Sequence, residues 1–542
     1  MTILIANIGT SDLAVNVDEY YFPVGFNRTE PNIDYSGLTS DEDAAWKEAK
    51  IFIEQVVGVE LGLDKFSFRE FTHKLSEAYR EDEEKWHALI RPGRIWGAIV
   101  EAMERFQVKT AYIFITNQPH ESDSVYLFDI LQQWFKRELG DKIELKPVLI
   151  PAGVPAIDQD ALLNEYYKFF LTLNKDEKIL ISTKGGTYQM QTALRVQAMS
   201  SDIDSQIFID PILSIKKILA GEPSTCKQIS YWRYLRTQKY QTVKQLLSRW
   251  DFDGATEILN KWLLSLTDLL ASGVEDISDS KKVMESLIKT LDMAGCYFNL
   301  DSVGAGEIIS SDSNLDSFRE IQNEYDQLLN LYTQCRIYWE LNQVANFLSR
   351  LGSFCEETLH RLIIKLGGLK YFDKRNHPND WYLERGRVEP TLWNYFAQRE
   401  YNIRNRPTYR LTNRFSKWNF VDALIQFRSH PQEIAHWRAL SDSLNKLDYW
   451  IEKRNDLIHS AIGVSKQSMS VLLQNDRANG DGYALDACTR DQIIAEITNI
   501  SCKTSELLKQ PATPFVGVDA PYYIYSDIRK WVADKLMSDG LR

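Results

Sequence analysis

The stretch TILIANIGTS at residues 2–11 decides the fold class, because a short apolar run rich in β-branched residues breaks abruptly at a glycine. A run without polar alternation is typical of a strand buried on both faces of a parallel sheet. Segments of helical periodicity separate it from later runs of the same kind, so we predict a Rossmann-like α/β domain over residues 1–225. These further runs lie at residues 108–116, 144–150, 178–182 and 206–209.

Beyond residue 230 the pattern changes to the three-to-four-residue apolar spacing of amphipathic helices. Helices are predicted at residues 234–247, 255–270, 281–294, 315–331, 340–366, 431–462 and 491–508. Two Gly/Ser/Asp-rich stretches, 271–280 and 301–313, are predicted as loops, and NGDG at 479–482 predicts a turn within a less helical insertion, 473–486. We therefore predict an all-α helical linker at 226–340 and a second all-α domain at 341–542.

The composition is that of an ordinary globular protein, with 542 residues, 44% hydrophobic and 25% charged, and a mean hydropathy of −0.34. No apolar run approaches the roughly 18 residues needed to span a bilayer, and the N-terminus lacks the basic region of a signal peptide. The six cysteines include no CxxC pair and no metal-ligand spacing. We therefore expect a cytoplasmic protein with no membrane partner and no metal site.

The net charge of −12 is unevenly spread along the chain. Residues 1–90 carry a net charge of −10, whereas residues 346–542 carry +5. The value for the whole chain is therefore a poor guide to partners, and it does not exclude a nucleic acid.

The residues after the first strand, Gly9, Thr10 and Ser11, are candidates for ligand contacts. In an open parallel sheet, ligands bind beyond the carboxyl ends of the strands, where backbone amides and helix N-termini face outward. Gly9 permits a tight turn, and the two hydroxyls could bind a phosphate or a ribose. The GxGxxG fingerprint is absent, which disfavours a dinucleotide oxidoreductase. The structural alternative is that Ser11 and Asp12 cap a helix or a turn.

A second loop of similar chemistry, STKGGT at residues 182–187, follows a later strand and precedes a helical stretch. Gly185 and Gly186 allow the backbone to approach an anion, Thr187 can cap the helix, and Lys184 adds a positive charge. The spacing is not that of a P-loop, and a purely structural turn is the alternative. Because both loops would open at the same edge of the sheet, each supports a ligand role for the other.

The segment IEKRNDLIHS at 451–460 places Arg454 and His459 in a helical region. Histidine can exchange a proton with a ribose 2′-hydroxyl or a leaving oxygen near neutral pH, and arginine can stabilise charge on a phosphate. Five residues of regular helix turn through about 140°, so the pair would not share one face. Either the helix is distorted or a second copy of the chain completes the site. In isolation, the same spacing also occurs by chance in many helical proteins.

A basic stretch with interleaved aromatic residues lies at 399–418, which contains six basic residues and a single acid, Glu400. Guanidinium groups and stackable rings suit single-stranded RNA. The alternative is a solvated loop that pairs with the acidic N-terminal segment. The predicted RNA contacts are Arg404, Arg406, Arg410 and Arg414.

Together these features resemble the CARF–HEPN ribonucleases of type III CRISPR-Cas systems, which join a CRISPR-associated Rossmann-fold (CARF) domain to a HEPN domain. The loops at 9–11 and 182–187 match the family's two ligand loops. YQTVKQLLSRWDFDGATEIL at 240–259 is similar to the helical segment after the CARF domain, and 347–362 looks like the first long HEPN helix. Arg454-Asn455, followed by His459, matches the family's Arg-x4–6-His motif.

The resemblance implies a homodimer that binds one cyclic oligoadenylate, with the tetra- and hexa-adenylates as the leading options. Binding would activate a metal-independent HEPN site that cuts single-stranded RNA non-specifically in antiviral defence, leaving 2′,3′-cyclic phosphate and 5′-hydroxyl ends. Arg454 and His459 would be catalytic, with Asn455 in support. The implied ligand contacts are Gly9, Thr10, Ser11, Lys184, Gly185, Gly186 and Thr187, with Asn117 and Gln118 as additions from the end of another strand.

The chain also departs from the family, because the acidic segment 34–84 and the insertion 473–486 have no obvious counterpart there. Two alternatives therefore stay open. One is a ligand-controlled CARF regulatory protein with an inactive helical domain, and the other is a HEPN toxin ribonuclease without a nucleotide activator. Whether the CARF domain degrades its own ligand is also open.

Overall fold

The computed structural model describes residues 2–25, 33–34, 42–62, 67–118, 123–175, 177–201, 203, 205–274, 277–372, 381–400, 403, 406–428, 430–459, 463–510 and 514–541. The strands in these ranges are β1 (Thr2–Asn7), β2 (Leu13–Val17), β3 (Tyr20–Pro23), β4 (Ile33–Asp34), β5 (Ile90–Pro92), β6 (Thr110–Thr116), β7 (Glu144–Ile150), β8 (Lys178–Ser182), β9 (Gln206–Pro211), β10 (Leu213–Ser214), β11 (Cys226–Ile229), β12 (Tyr382–Glu384) and β13 (Thr408–Arg410).

The helices begin with α1 (Glu42–Ile51), α2 (Phe68–Glu81), α3 (Glu83–Leu89), α4 (Arg94–Phe106), α5 (Val125–Leu139), α6 (Gln159–Phe170), α7 (Tyr188–Ser200), α8 (Ile215–Leu219), α9 (Trp232–Ser248), α10 (Phe252–Ala271) and α11 (Ser278–Phe298). They continue with α12 (Ser302–Ser311), α13 (Arg319–Asn323), α14 (Gln327–Glu340), α15 (Val344–Lys365), α16 (Pro390–Arg399), α17 (Arg414–Arg428), α18 (Pro431–His459), α19 (Lys466–Ala478), α20 (Gly482–Asp486), α21 (Ile493–Leu508) and α22 (Tyr523–Leu541).

The chain divides into two compact units. The first unit combines Met1–Gln241 with Ile258–Glu285 and Asp539–Arg542. The second unit combines Thr242–Glu257 with Ser286–Ser538. The three-part division at residues 225 and 340 stays a prediction.

The main sheet of the first unit has the strand order β11-β9-β8-β1-β6-β7. Ile5 of β1 lies opposite Tyr112 of β6 on one side and Ile181 of β8 on the other, and both pairings are parallel. Only the edge pair of β9 and β11 is antiparallel. The chain leaves β1 towards β6 and β7 and returns to β8 on the opposite side of β1, which creates a topological switch point between β1 and β8. The predicted Rossmann-like α/β domain followed by helical structure is confirmed.

Burial on both faces explains why β1 has no polar alternation. Ile3 and Ile5 belong to a core that includes Tyr166 of α6 and Met190 of α7. Leu4 points to the opposite face, because side chains alternate along a strand, and it is also fully buried. Helix α4 packs against β1, β8 and β9, so helices cover the sheet as the sequence predicts.

A small antiparallel sheet with the order β3-β2-β5 lies between β1 and β6 in the chain, and the sequence patterns do not predict it. Asp18 and Glu19 connect β2 to β3 with φ values of 47° and 75°. Two consecutive positive φ values are the geometry of a tight hairpin turn, for which Asn-Gly is the usual sequence. Asp-Glu carries no such signal, so the hairpin has no recognisable signature.

The second unit is built around the long helices α15 and α18. The apolar side of α15 is completely buried at Phe347, Leu351 and Phe354, and this helix packs against α14, α17, α18 and α21. Helix α18 also packs against α21, and its Leu440 and Leu444 lie in the same core. Every helix in the described ranges is either too short or too polar to span a membrane.

Three expectations about the helical part are wrong. The single helix predicted at 315–331 is interrupted between α13 and α14, where Asp326 caps α14 by accepting from the Leu329 N–H at 2.9 Å. The stretch 301–313 contains α12, because the Gly304 N–H donates to the Asp301 side chain at 2.8 Å and Ala305 and Ile309, four residues apart, are buried. This cap and apolar pair outweigh the weak helix propensity of the glycines. Residues 473–486 are also mainly helical, in α19 and α20, with a short turn at Gly480 (φ 79°).

Candidate functional site

Two glycine loops meet at the switch point of the sheet. A Cβ added to Gly9, after β1, would lie 2.8 Å from the backbone nitrogen of Gly186, after β8. A Cβ on Gly185 would overlap the carbonyl oxygen of Asn7. Gly186 itself has a φ of 75°, which favours glycine. The structure therefore brings the two sequence-predicted loops into direct contact, and it requires glycine at these positions.

The buried side chain of Asp12 holds the first loop in place through hydrogen bonds. It is 1% exposed, and its carboxylate accepts 2.8 Å hydrogen bonds from the backbone N–H groups of Gly9 and Ile95. Ile95 lies in the first turn of α4, so Asp12 caps that helix as well as shaping its own loop. The capping role considered from the sequence is thus present, and it leaves the partly exposed Ser11 at the surface of the loop.

The second loop is fixed at both ends. Thr187 caps α7, because its hydroxyl oxygen accepts from the Met190 N–H at 3.2 Å, and the same hydroxyl donates to the carbonyl of Ala156. The Arg94 guanidinium donates to the carbonyl oxygen of Lys184 at 2.9 Å. A rigid loop with glycines at its turn and a helix N-terminus behind it is well suited to an anionic ligand.

A charged cluster lies beside this loop. Burial raises the pKa of Asp210, at the end of β9, and the positive charges of Lys184 and Arg195 oppose that rise. Arg195 also donates to the Thr183 hydroxyl at 3.4 Å. Two cations, Lys184 and Arg195, therefore lie close to a single acid beside the second loop.

Asn117 and Gln118 lie after β6, the strand beside β1, and both have protein partners. The Arg69 guanidinium donates to the Asn117 side-chain oxygen at 3.2 Å. The Gln118 amide donates to the carbonyl of Val154 and accepts from the Ala156 N–H at 3.4 Å. Gln118 thus holds the loop after β7, and Asn117 is bonded to Arg69 of α2. A ligand role for either side chain stays a prediction that would require new contacts.

Asn7 is a site residue that the sequence reading missed. It ends β1 at 2% exposure, and its side-chain oxygen accepts from the Tyr166 hydroxyl at 2.6 Å. Its amide nitrogen is buried without a hydrogen-bond partner. A polar residue at the end of an otherwise apolar strand is the signal that could have identified it.

Gly185→Ala is expected to destabilise the first unit, because the new methyl group overlaps backbone rather than a flexible side chain. Overpacking of this kind costs roughly 1–3 kcal/mol. Gly153→Ala is the matched control, since a Cβ there meets nothing within 4 Å. Thermal unfolding followed by circular dichroism should show a lower midpoint only for Gly185→Ala. Equal midpoints would contradict the close approach of the two loops.

In the second unit, Arg454 lies on α18 against α15. A Cβ on Gly352 of α15 would lie 4.0 Å from a terminal guanidinium nitrogen of Arg454. The Nε atom of Arg454 is buried and has no hydrogen-bond partner. Helix α18 continues to His459, its last residue, and the structure describes the backbone but not the side chains of residues 455–459. The catalytic roles of Asn455 and His459 therefore stay predictions.

Two ion pairs connect α17 to its neighbours, one to α18 near Arg454 and one to α15. Arg414 of α17 pairs with Asp448, and both side chains are 16% exposed. Burial raises the pKa of Asp448, and Arg414 opposes the rise. Lys417, whose side chain is 1% exposed, pairs with Glu356 of α15. These contacts connect the three helices around the candidate catalytic residue.

The same contacts revise the prediction for the basic stretch 399–418. Arg414 pairs with an acid of its own unit, as does Arg399, whose partner is Asp422. Arg414 is therefore not an exposed RNA contact in this structure, and the acids that pair with these arginines are not those of the N-terminal segment. Arg406 and Arg410 are exposed, and Arg404 lies outside the described residues.

Comparisons with known proteins establish the fold. No family model matches the chain, and no curated protein sequence matches it. A solved structure that is similar is Csm6 from Enterococcus italicus bound to cyclic hexa-2′-fluoro-hexa-dAMP. It matches with a TM-score of 0.51 and 12% identity over 81% of this chain and 95% of that chain. The CARF–HEPN resemblance seen in the sequence is confirmed at the level of the fold.

No group of three or more His, Cys, Asp or Glu side chains within the described ranges is arranged to hold a metal ion. The structure brings the two glycine loops together in the first unit and places Arg454 on α18 in the second.

Proposed function

We propose that this chain, which has the CARF–HEPN fold of Csm6, is a ribonuclease of type III CRISPR antiviral defence activated by a cyclic oligoadenylate. The observation that carries the proposal is the contact of the two glycine loops at the switch point. In open α/β sheets this is the position where ligands bind. The similar Csm6 was solved with a cyclic hexanucleotide, which supports a ligand of that class.

The sensor site would recognise phosphates and bases at the edge of the sheet. Lys184 supplies a cation, the backbone around Gly185 and Gly186 can approach a phosphate closely, and Ser11 offers a hydroxyl. Both cyclic tetra-adenylate and cyclic hexa-adenylate meet these requirements.

The nuclease reaction would be a transesterification within the RNA strand. The 2′-oxygen attacks the adjacent phosphorus as the bond from phosphorus to the 5′-oxygen breaks, so the products are a 2′,3′-cyclic phosphate and a 5′-hydroxyl. His459 would transfer the proton between these oxygens, and Arg454 would stabilise the charge that accumulates on the phosphate. Asn455 would support the pair.

A homodimer would complete the site. Arg454 and His459 are separated by about 140° around a regular helix, and α18 is continuous to His459. Two copies of α18 could supply an arginine and a histidine to one phosphate, whereas one copy directs them to different sides. The proposed enzyme is therefore a dimer that cuts single-stranded RNA, with the metal-independent chemistry that the family resemblance implies and a cytoplasmic location.

Single-stranded RNA would contact the exposed Arg406 and Arg410. Arg410→Glu is expected to raise the Kd for RNA and to reduce the slope of log Kd against log salt concentration by about one. The control is Arg249→Glu, a charge reversal at an exposed arginine outside the basic stretch. Binding measured by fluorescence anisotropy over a range of salt concentrations tests this. An unchanged slope in Arg410→Glu would exclude this arginine from the RNA surface.

The proposed function is tested by product analysis. The full chain is incubated with single-stranded RNA and either ring in EDTA, and the fragments are examined by mass spectrometry. Cyclic phosphate ends that form only with a ring support the proposal. Ring binding without cleavage would indicate the ligand-controlled regulatory protein, and cleavage without any ring would indicate the toxin ribonuclease.

A further inference from the structure

One row of side chains on α7 faces the second ligand loop. Gln191 donates to the carbonyl oxygen of Gly186 at 3.2 Å, and Arg195 donates to the Thr183 hydroxyl at 3.4 Å. Residues separated by three, four or seven positions lie on the same side of a helix. Tyr188, three residues before Gln191 and seven before Arg195, therefore continues this row beyond the end of the loop.

Tyr188 is the most exposed part of that row. It is 75% exposed, whereas the side of α7 that carries Met190, Ala193 and Leu194 is buried in the core. No aromatic, cation–π or side-chain hydrogen-bond partner of Tyr188 occurs among the described residues. A large ring in water, immediately after an anion-suited loop, is a surface that a flat apolar group can cover.

The backbone at Tyr188 is fixed, although the side chain is exposed. Its neighbour Thr187 is bonded to Met190 and Ala156, and the carbonyl of Tyr188 accepts from the Thr192 hydroxyl at 2.9 Å. The backbone that carries the ring is thus fixed in the first turn of α7. On a fixed backbone, only the two side-chain torsions of the tyrosine have to be ordered on binding, which is a small entropy cost for so large a contact area.

We propose that Tyr188 is a base-stacking residue of the sensor site, on which an adenine of the cyclic activator lies while Lys184 contacts a phosphate. This inference rests on the proposed function and extends it from recognition of phosphates to recognition of the base. Purines stack well on aromatic rings. The ring of tyrosine, rather than its hydroxyl, supplies the contact.

The test compares Tyr188→Ala, Tyr188→Phe and Tyr167→Ala in the full chain. Tyr167 is a matched control, because it lies on α6 and is 51% exposed. Binding of cyclic tetra- and hexa-adenylate is measured by isothermal titration calorimetry. Tyr188→Ala is expected to weaken binding of the preferred ring by about 5- to 150-fold, equivalent to ~1–3 kcal/mol. Tyr188→Phe and Tyr167→Ala should stay within about threefold of the unmodified chain.

The outcomes separate the inference from the proposed function. If the unmodified chain binds a ring and Tyr188→Ala binds it equally well, the stacking role is wrong and the proposed activator stands. A loss in Tyr188→Phe as large as that in Tyr188→Ala would also overturn stacking, since the hydroxyl would then make the contact. If the unmodified chain binds neither ring, the proposed activator and the inference both fail.

Discussion

His459→Ala is expected to lower the rate of activated RNA cleavage by about 100- to 10,000-fold, the range that a proton-transfer group contributes to catalysis. The substitution removes the side chain that would carry the proton between the 2′-oxygen and the leaving 5′-oxygen. Binding of the activator should be unchanged, because the ligand loops belong to the other compact unit. Initial rates with a fluorescent single-stranded RNA at saturating activator measure the effect.

The matched control for this prediction is His436→Ala. His436 lies on the same helix, α18, and is exposed, so its loss should leave cleavage unchanged. Arg454→Ala should reproduce the defect of His459→Ala, since it removes the group that stabilises charge on the phosphate. An unchanged rate of RNA cleavage in His459→Ala would contradict the assignment of Arg454 and His459 as the catalytic pair.

Lys184→Glu is expected to raise the activator concentration for half-maximal cleavage by about 10- to 150-fold. A hydrogen bond to a charged group contributes ~1.5–3 kcal/mol, and the reversed charge adds repulsion to the phosphate. The maximal cleavage rate should not change, because Lys184 has no part in the chemical step. Titration of the activator at fixed RNA concentration separates these two effects.

Two further variants keep this prediction specific. Lys184→Gln removes the charge without placing a second acid near Asp210, and it should show a smaller shift in the same direction. Lys142→Glu reverses an exposed charge elsewhere in the first unit and should behave like the unmodified chain. If Lys142→Glu and Lys184→Glu raised the activator concentration for half-maximal cleavage equally, the effect would come from long-range charge. That result would contradict a direct contact between Lys184 and the activator.

The parallel strands of the main sheet could be predicted from local sequence, whereas the antiparallel edge strand β11, just beyond the predicted end of the domain at residue 225, was not predicted. Residues 144–150 and 178–182, for example, match β7 and β8, since continuous apolar runs ending at breakers have few alternatives. The order of the strands could not be predicted in the same way. It depends on contacts between distant segments, such as Ile5 with Ile181, and it is this order that brings the two ligand loops together.

The residues of the candidate site could be predicted from the sequence, but the contacts that they make in the fold could not. Gly9 and Gly185 could be identified from the sequence, because turn residues directly after a predicted strand indicate a loop at the edge of the sheet where a ligand can bind. The second role of Asp12, as a cap for α4, depends on a helix 83 positions away in the chain. Likewise, the sequence predicts that Arg414 is an exposed cation, whereas in the structure it is largely buried and forms an ion pair with Asp448.

The central claim is that a cyclic oligoadenylate controls RNA cleavage by this chain. The most direct measurement is the initial rate of cleavage of a fluorescent single-stranded RNA in EDTA, with no ring, with cyclic tetra-adenylate and with cyclic hexa-adenylate. We expect one ring to raise the rate by at least about tenfold, a ~1.4 kcal/mol lowering of the barrier. Identical rates in all three conditions would contradict the claim.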